Sequence, residues 1–132
     1  MKKFLFTSSF VLRVAFISLA QNETPYVRIV NIVIDSSQVD SFKAVLKKDI
    51  EASVFPEPGT IAIHAVFDKA NPTHVIVYEI YENIQAHKAH QESGHFQVYK
   101  QATTAMVKSI VRMEASVIAL ESKQISASPK NQ

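Results

Sequence analysis

At 132 residues the chain has the length of one ordinary domain, so a two-domain organisation is not expected. Its 14 basic and 12 acidic side chains leave a net charge of +2, too small for a dedicated nucleic-acid binder. Cysteine is absent and glycine occurs only at Gly59 and Gly94, which excludes thiol nucleophiles, iron-sulfur clusters, Cys-type zinc sites, disulfides, G-x-G-x-x-G turns and phosphate-cradling P-loops.

The charge is unevenly placed. Lys2, Lys3 and Arg13 stand in the first twenty residues with no acid, leaving 11 basic against 12 acidic side chains from residue 21 onward. Met1-Lys2-Lys3 precedes an apolar run from Phe4 to Leu12 and from Val14 to Ala20, and Ser18-Leu19-Ala20 before Gln21 fits a small-x-small cleavage site. The pattern predicts a secretory signal peptide over residues 1–20 and a periplasmic or secreted mature protein. Arg13 opposes it, because a charge at a membrane centre costs about 2.5 to 3.5 kcal/mol. The alternative is an amphipathic extension on a cytoplasmic protein. No other run reaches the roughly 20 apolar residues that span a bilayer, so no membrane association is expected once the leader is removed.

A single domain is predicted over residues 21–125, with a polar tail over 126–132 containing Pro129. Tyr26 to Ile34 is rich in β-branched residues between Pro25 and Asp35-Ser36-Ser37 and reads as a strand buried on both faces. Ser37-Gln38-Val39-Asp40 has the spacing of a capping box, and Val39, Phe42, Val45, Leu46, Ile50 and Val54 continue as a helix over about 38–53. Pro56 and Pro58 end it, with Gly59 free to take a positive φ. Thr60 to Asp68 and His74 to Glu82 form a hairpin. Asn83 caps a short helix from Ile84 to about Gln91, and after Ser93-Gly94 a second helix restarts with Phe96, Tyr99, Thr103, Met106, Val107 and Ile110 on one stripe. Ser116 to Gln124 is predicted as the last strand, a segment whose Glu114–Leu120 part also suits a helix.

The order βαββααβ is the ferredoxin-like α+β arrangement, an antiparallel four-stranded sheet with helices on one face. Val30, Ile32 and Ile34 alternate with Val27, Ile29 and Val33, so the face without helices is apolar too. An exposed apolar sheet face is an interface or a liability. A homodimer closed sheet to sheet is expected, with one cavity per subunit.

Three segments now carry a resemblance: Glu57-Pro58-Gly59-Thr60, the strand His74 to Glu82 with Tyr78-Glu79-Ile80-Tyr81, and Ala86-His87-Lys88-Ala89-His90-Gln91-Glu92-Ser93-Gly94-His95-Phe96. Their order and spacing resemble the antibiotic biosynthesis monooxygenase superfamily over about residues 26–122. The resemblance implies a dimeric α+β barrel and, in the oxygenase branch, oxidation of a quinol or another small aromatic substrate by O2 without metal or flavin, so that no cofactor is expected. It also spans non-catalytic ligand-binding or stress proteins and isomerases of small carbonyl signals, because one fold hosts many activities.

An oxygenase of this kind needs a base, since a phenol of pKa about 10 must lose its proton near neutrality. Asn31, His64 and His90 are the candidate catalytic residues. Asn31 is a lone amide in an apolar strand and must find partners if buried. His64 stands mid-strand, and an imidazole is the side-chain type suited to serve as a base near neutral pH. His90 matches a family histidine whose position lines the cavity in heme-degrading relatives. Glu79, Tyr81, His95 and Tyr99 are the candidate substrate-binding residues. Glu79 is expected to pair with Arg28 or to have a raised pKa, and Glu79 and Tyr81 share one face of their strand. His95 is expected to fix the break between the helices. His87 and His90 lie one helical turn apart, yet no carboxylate is organised in the sequence to complete a tetrahedral set with them and His95. No metal is expected. Heme is disfavoured too, because the axial histidine that follows the motif phenylalanine by four residues in heme-degrading relatives is Lys100 here.

Overall fold

The computed structural model describes residues 24–123. The expected leader and the whole of the expected tail lie outside the described residues. β1 spans Tyr26–Ile34, a 3-10 turn Ser36–Gln38, α1 Val39–Val54, β2 Thr60–Phe67, β3 His74–Tyr81, α2 Ile84–Glu92, α3 Gly94–Thr103 and β4 Val107–Ala115. The sheet has four strands in the order β2-β3-β1-β4, and each neighbouring pair is antiparallel. This is the ferredoxin-like topology that the element order implied. No helix among the described residues is long and apolar enough to cross a membrane.

Local chemistry sets the boundaries. The capping box at Ser37 and Asp40 is not used. Asp35 instead accepts from the Ser37 amide at 2.9 Å and starts the 3-10 turn, so Gln38 precedes α1 without a side-chain cap. Asn83 caps α2 by accepting from the Ala86 amide at 2.9 Å. Ser93 separates α2 from α3: its amide donates to the His90 carbonyl at 3.0 Å and its hydroxyl accepts from the Phe96 amide at 3.3 Å. Gly59 does not take a positive φ, contrary to expectation. Its constraint is contact, because a Cβ there would lie 2.4 Å from Ala86 Cβ, while the Gly59 carbonyl accepts from the Glu82 amide at 2.9 Å.

The last strand is the main correction. The stripe from Phe96 to Ile110 suited one long helix, but α3 stops at Thr103, a Met106-to-Thr103 backbone bond turns the chain, and Val107–Ala115 pairs along β1. β1 therefore has partners on both edges, which satisfies its backbone groups. Residues 116–123, expected to be strand, are irregular and exposed.

Val30, Ile32 and Ile34 of β1 meet Val75 and Val77 of β3, Ile63 of β2, and Phe42 and Leu46 of α1 in the core. The opposite face carries the row Val66, Ile76, Asn31 and Val111 across the four strands. Its apolar members are 59%, 42% and 63% exposed, respectively, and Met113 in the next row is 50% exposed.

Candidate functional site

A cavity of about 460 Å³ lies between the sheet and the helices. Arg28 and Val30 of β1, Glu79 of β3, Asp49 of α1, His90 of α2 and Tyr99 of α3 contribute to its wall. Its volume falls in the range of small-molecule sites, roughly 300 to 1,000 Å³.

One end of the wall is a chain of charged and imidazole groups. His90 is 3% exposed and donates from Nδ1 to Glu57 Oε2 at 3.0 Å. Thr60 Oγ1 donates to the same oxygen at 2.6 Å. His95 donates from Nε2 to Glu57 Oε1 at 2.7 Å and from Nδ1 to Asp49 Oδ1 at 2.8 Å, so it bridges two carboxylates as an imidazolium. The approach of Gly59 to Ala86 seats the turn carrying Glu57 against the helix carrying His90. With Nδ1 committed to an acceptor, the Nε2 of a neutral His90 is an acceptor, and no described residue bonds to it.

Burial acts to lower the His95 pKa, but hydrogen bonds and charge from Asp49 and Glu57 outweigh it and hold it raised. Burial acts to raise Glu57, yet the Thr60 hydrogen bond, with the charge and hydrogen bonds of His90 and His95, holds it lowered. The signs fix a pH window. A raised His95 stabilises the fold fully below its ordinary value of 6.5 and loses that contribution as pH rises through the folded value. A lowered Glu57 contributes fully above 4.5 and loses it as pH falls through its folded value. The network is therefore expected to stabilise most between these two ordinary values. Thermal unfolding across pH should show His95→Gln losing most stability inside that window and converging on the wild type at alkaline pH; a constant offset at every pH would contradict this account.

A second polar group surrounds Arg28, which is 7% exposed. Its Nη1 contacts His87 Nε2 and stands 3.7 Å from Glu79 Oε2. Because arginine only donates, His87 Nε2 accepts and its proton sits on Nδ1. Burial first, and the Arg28 charge second, depress the His87 pKa to about 4, so the ring is neutral. Burial raises Glu79, with Arg28 opposing. The expected pairing of Arg28 with Glu79 is thus present as a loose ion pair. Glu79 Oε2, His87 Nδ1 and the Tyr81 hydroxyl are buried without hydrogen-bond partners.

His90, Glu79 and Tyr99 line the cavity. Tyr81 and His95 stand behind the wall, their rings 5.5 and 5.7 Å from that of His90. Burial pushes the Tyr99 pKa up to about 12, helped by the Asp49 charge. Asn31 and His64 do not join them. Both are exposed on the opposite face of the sheet, because Arg28, Val30 and Ile63 occupy the cavity parity of their strands. The expectation that Asn31, His64 and His90 converge on one cavity is corrected to His90 alone. The expected lack of a carboxylate beside the histidines is corrected as well, since Glu57 joins His90 and His95, with one ligand atom from each residue all within 4.8 Å. The sequence reading missed Glu57, Asp49 and His87 as site residues. For Glu57 the available signal was a carboxylate in the turn shared with the family pattern.

The family model for antibiotic biosynthesis monooxygenases matches residues 25–102. Among solved structures, a Bacteroides thetaiotaomicron protein bearing that family name is 35% identical, with a TM-score of 0.73 over 76% of this chain and 96% of that one. A Nitrosomonas europaea protein of the same name is 21% identical, with a TM-score of 0.69 over 76% and 96% of the two chains. A Pseudomonas aeruginosa protein at 16% identity has the same fold, with a TM-score of 0.69 over 75% and 99%. No curated protein matches the chain. With the family's model covering more than half the sequence and its fold reproduced around the cavity, the chain belongs to the antibiotic biosynthesis monooxygenase family.

Proposed function

We propose that this protein is a cofactor-independent monooxygenase that oxidises a quinol or another small phenolic substrate with O2 in the cavity between sheet and helices. The observation that carries the reading is the Glu57–His90 pair: a buried imidazole on the cavity wall, oriented by a carboxylate, with its second nitrogen free to accept a proton. His90 takes the phenolic proton, and the electron-rich phenolate then reduces oxygen. For a quinol the balance is quinol plus O2 giving hydroxyquinone plus water. One oxygen atom enters a ring C–H position, the other leaves as water, and the substrate supplies all the electrons. The apolar wall, including Val30 and Val77, limits water access to the phenolate.

The test is oxygen uptake by purified protein offered a panel of quinols and anthrones, against protein-free autoxidation. Uptake above that control, unchanged or increased by a chelator, is the expected result. Abolition by the chelator would sink the cofactor-independent reading, and no uptake across the panel would turn it toward a ligand-binding protein.

Two further assignments belong to the same reading. The chain pairs as a homodimer through the open sheet face, supported by the exposed Val66, Ile76, Val111 and Met113. It acts in the periplasm or outside the cell, supported by the leader pattern of residues 1–20. N-terminal sequencing of protein from a periplasmic extract should begin at Gln21; an intact Met1 would refute export by cleavage.

A further inference from the structure

We propose that Glu57, His90 and His95 form a binding site for a zinc-class divalent ion, and that loading it switches off His90 as a base. Three donors from separate parts of the fold meet here: the turn after α1, the end of α2 and the start of α3. Two neutral imidazoles and a carboxylate are the donor set of three-ligand zinc sites, which keep a fourth position for water. With metal-ligand bonds of about 2.0 to 2.1 Å, tetrahedral donors stand roughly 3.4 Å apart. On one ligating oxygen, Glu57 Oε1, the separations here are 2.7 Å from His95 Nε2 and 3.2 Å from His90 Nδ1, and the donor atoms of the three residues all lie within 4.8 Å of one another. An ion in place of the shared protons needs the Glu57–His95 contact to open and the three donors to settle at a common spacing of roughly 3.4 Å.

The outer shell is already built. Asp49 accepts from His95 Nδ1 at 2.8 Å, which leaves Nε2 as the ligating nitrogen and fixes the ring. This is the carboxylate-histidine-metal arrangement whose loss typically weakens binding 10- to 100-fold. Thr60 Oγ1 fixes Glu57 in the same way at 2.6 Å. His95, with its side chain 26% exposed, gives the ion a route from solvent, whereas His90 at 3% faces the cavity.

Metal on His90 Nδ1 inverts that residue. A neutral imidazole ligated through Nδ1 carries its proton on Nε2, the atom left to accept a substrate proton in the metal-free state. The loaded protein presents a donor where a base is needed. This inhibitory consequence rests on the proposed oxygenase reading; the site does not.

The experiment titrates chelator-stripped full-length protein with ZnCl2 by calorimetry, with MgCl2 as the hard-cation control. One zinc per chain at micromolar or tighter affinity and no magnesium binding is expected. His95→Gln should weaken zinc at least 100-fold, and Asp49→Asn, which keeps every ligand, 10- to 100-fold, with circular dichroism confirming that both fold. Absence of zinc binding, or affinity unchanged in both variants, overturns the site. Oxygen uptake then separates the two readings: zinc that binds the wild type and suppresses turnover supports the switch, and zinc that binds without suppressing it overturns the switch alone. Zinc binding to a protein that turns over no phenol leaves the site standing and removes both the oxygenase reading and the switch.

Discussion

Replacing His90 by glutamine is expected to lower kcat for phenol oxidation by roughly 10²- to 10⁴-fold, the usual contribution of a positioned general base. Glutamine fills similar volume and can donate to Glu57, so the loss would reflect the missing basic nitrogen rather than a collapsed wall. The partner carboxylate gives a second reading. Glu57→Gln can hold an amide N–H toward His90 Nδ1, which turns that nitrogen into an acceptor and moves the ring proton to Nε2. Both variants should therefore lose turnover, and each also removes one donor of the Glu57, His90 and His95 set. Steady-state oxygen uptake with a confirmed substrate measures the effect, and full turnover in His90→Gln would remove this residue from the mechanism.

On the proposed sheet-to-sheet homodimer, Val111→Glu is expected to give monomers. Val111 is 63% exposed beside Asn31, in the row that runs through Ile76 to Val66. A two-fold interface uses each residue twice, and burying a valine contributes about 1.5 to 3 kcal/mol. Losing two such contributions and placing two carboxylates in an apolar contact weakens association by at least about 4 kcal/mol, roughly a thousandfold in Kd. Sedimentation equilibrium at micromolar concentration reads this directly. A variant that remains dimeric at the wild-type concentration would place the interface elsewhere.

The strand, helix and hairpin boundaries up to Glu92 were legible because each is marked locally: Pro25 and Asp35 around β1, Pro56 and Pro58 after α1, Asn83 before α2. β4 was not, since Met106, Val107 and Ile110 fit a helical stripe and an alternating strand equally well. Only the long-range ladder from Val27↔Ala115 to Ile34↔Val107 decides between them. The same limit explains the site. β1 is apolar at both parities, so nothing in its pattern says which face the helices cover, and Asn31 and His64 went to the wrong one. Glu79 was legible as the one carboxylate inside an apolar strand, and His90 by its place in the helix motif. Glu57 is separated from His90 by 33 positions and meets it only when the turn docks on α2.

That docking depends on an atom the chain lacks. With Gly59 lying where a methyl would collide with Ala86 Cβ at 2.4 Å, the spacing between the turn and α2 is set by the absence of a side chain rather than by backbone freedom. The Glu57–His90 distance is therefore a mechanical consequence of two small residues held face to face. A one-carbon addition at Gly59 would act as a wedge, lengthening the carboxylate-imidazole contact without touching either partner. Residue 59 thus works as a shim between the turn and α2, and on the proposed oxygenase reading tolerance at that position reports how tightly turnover depends on the Glu57–His90 spacing.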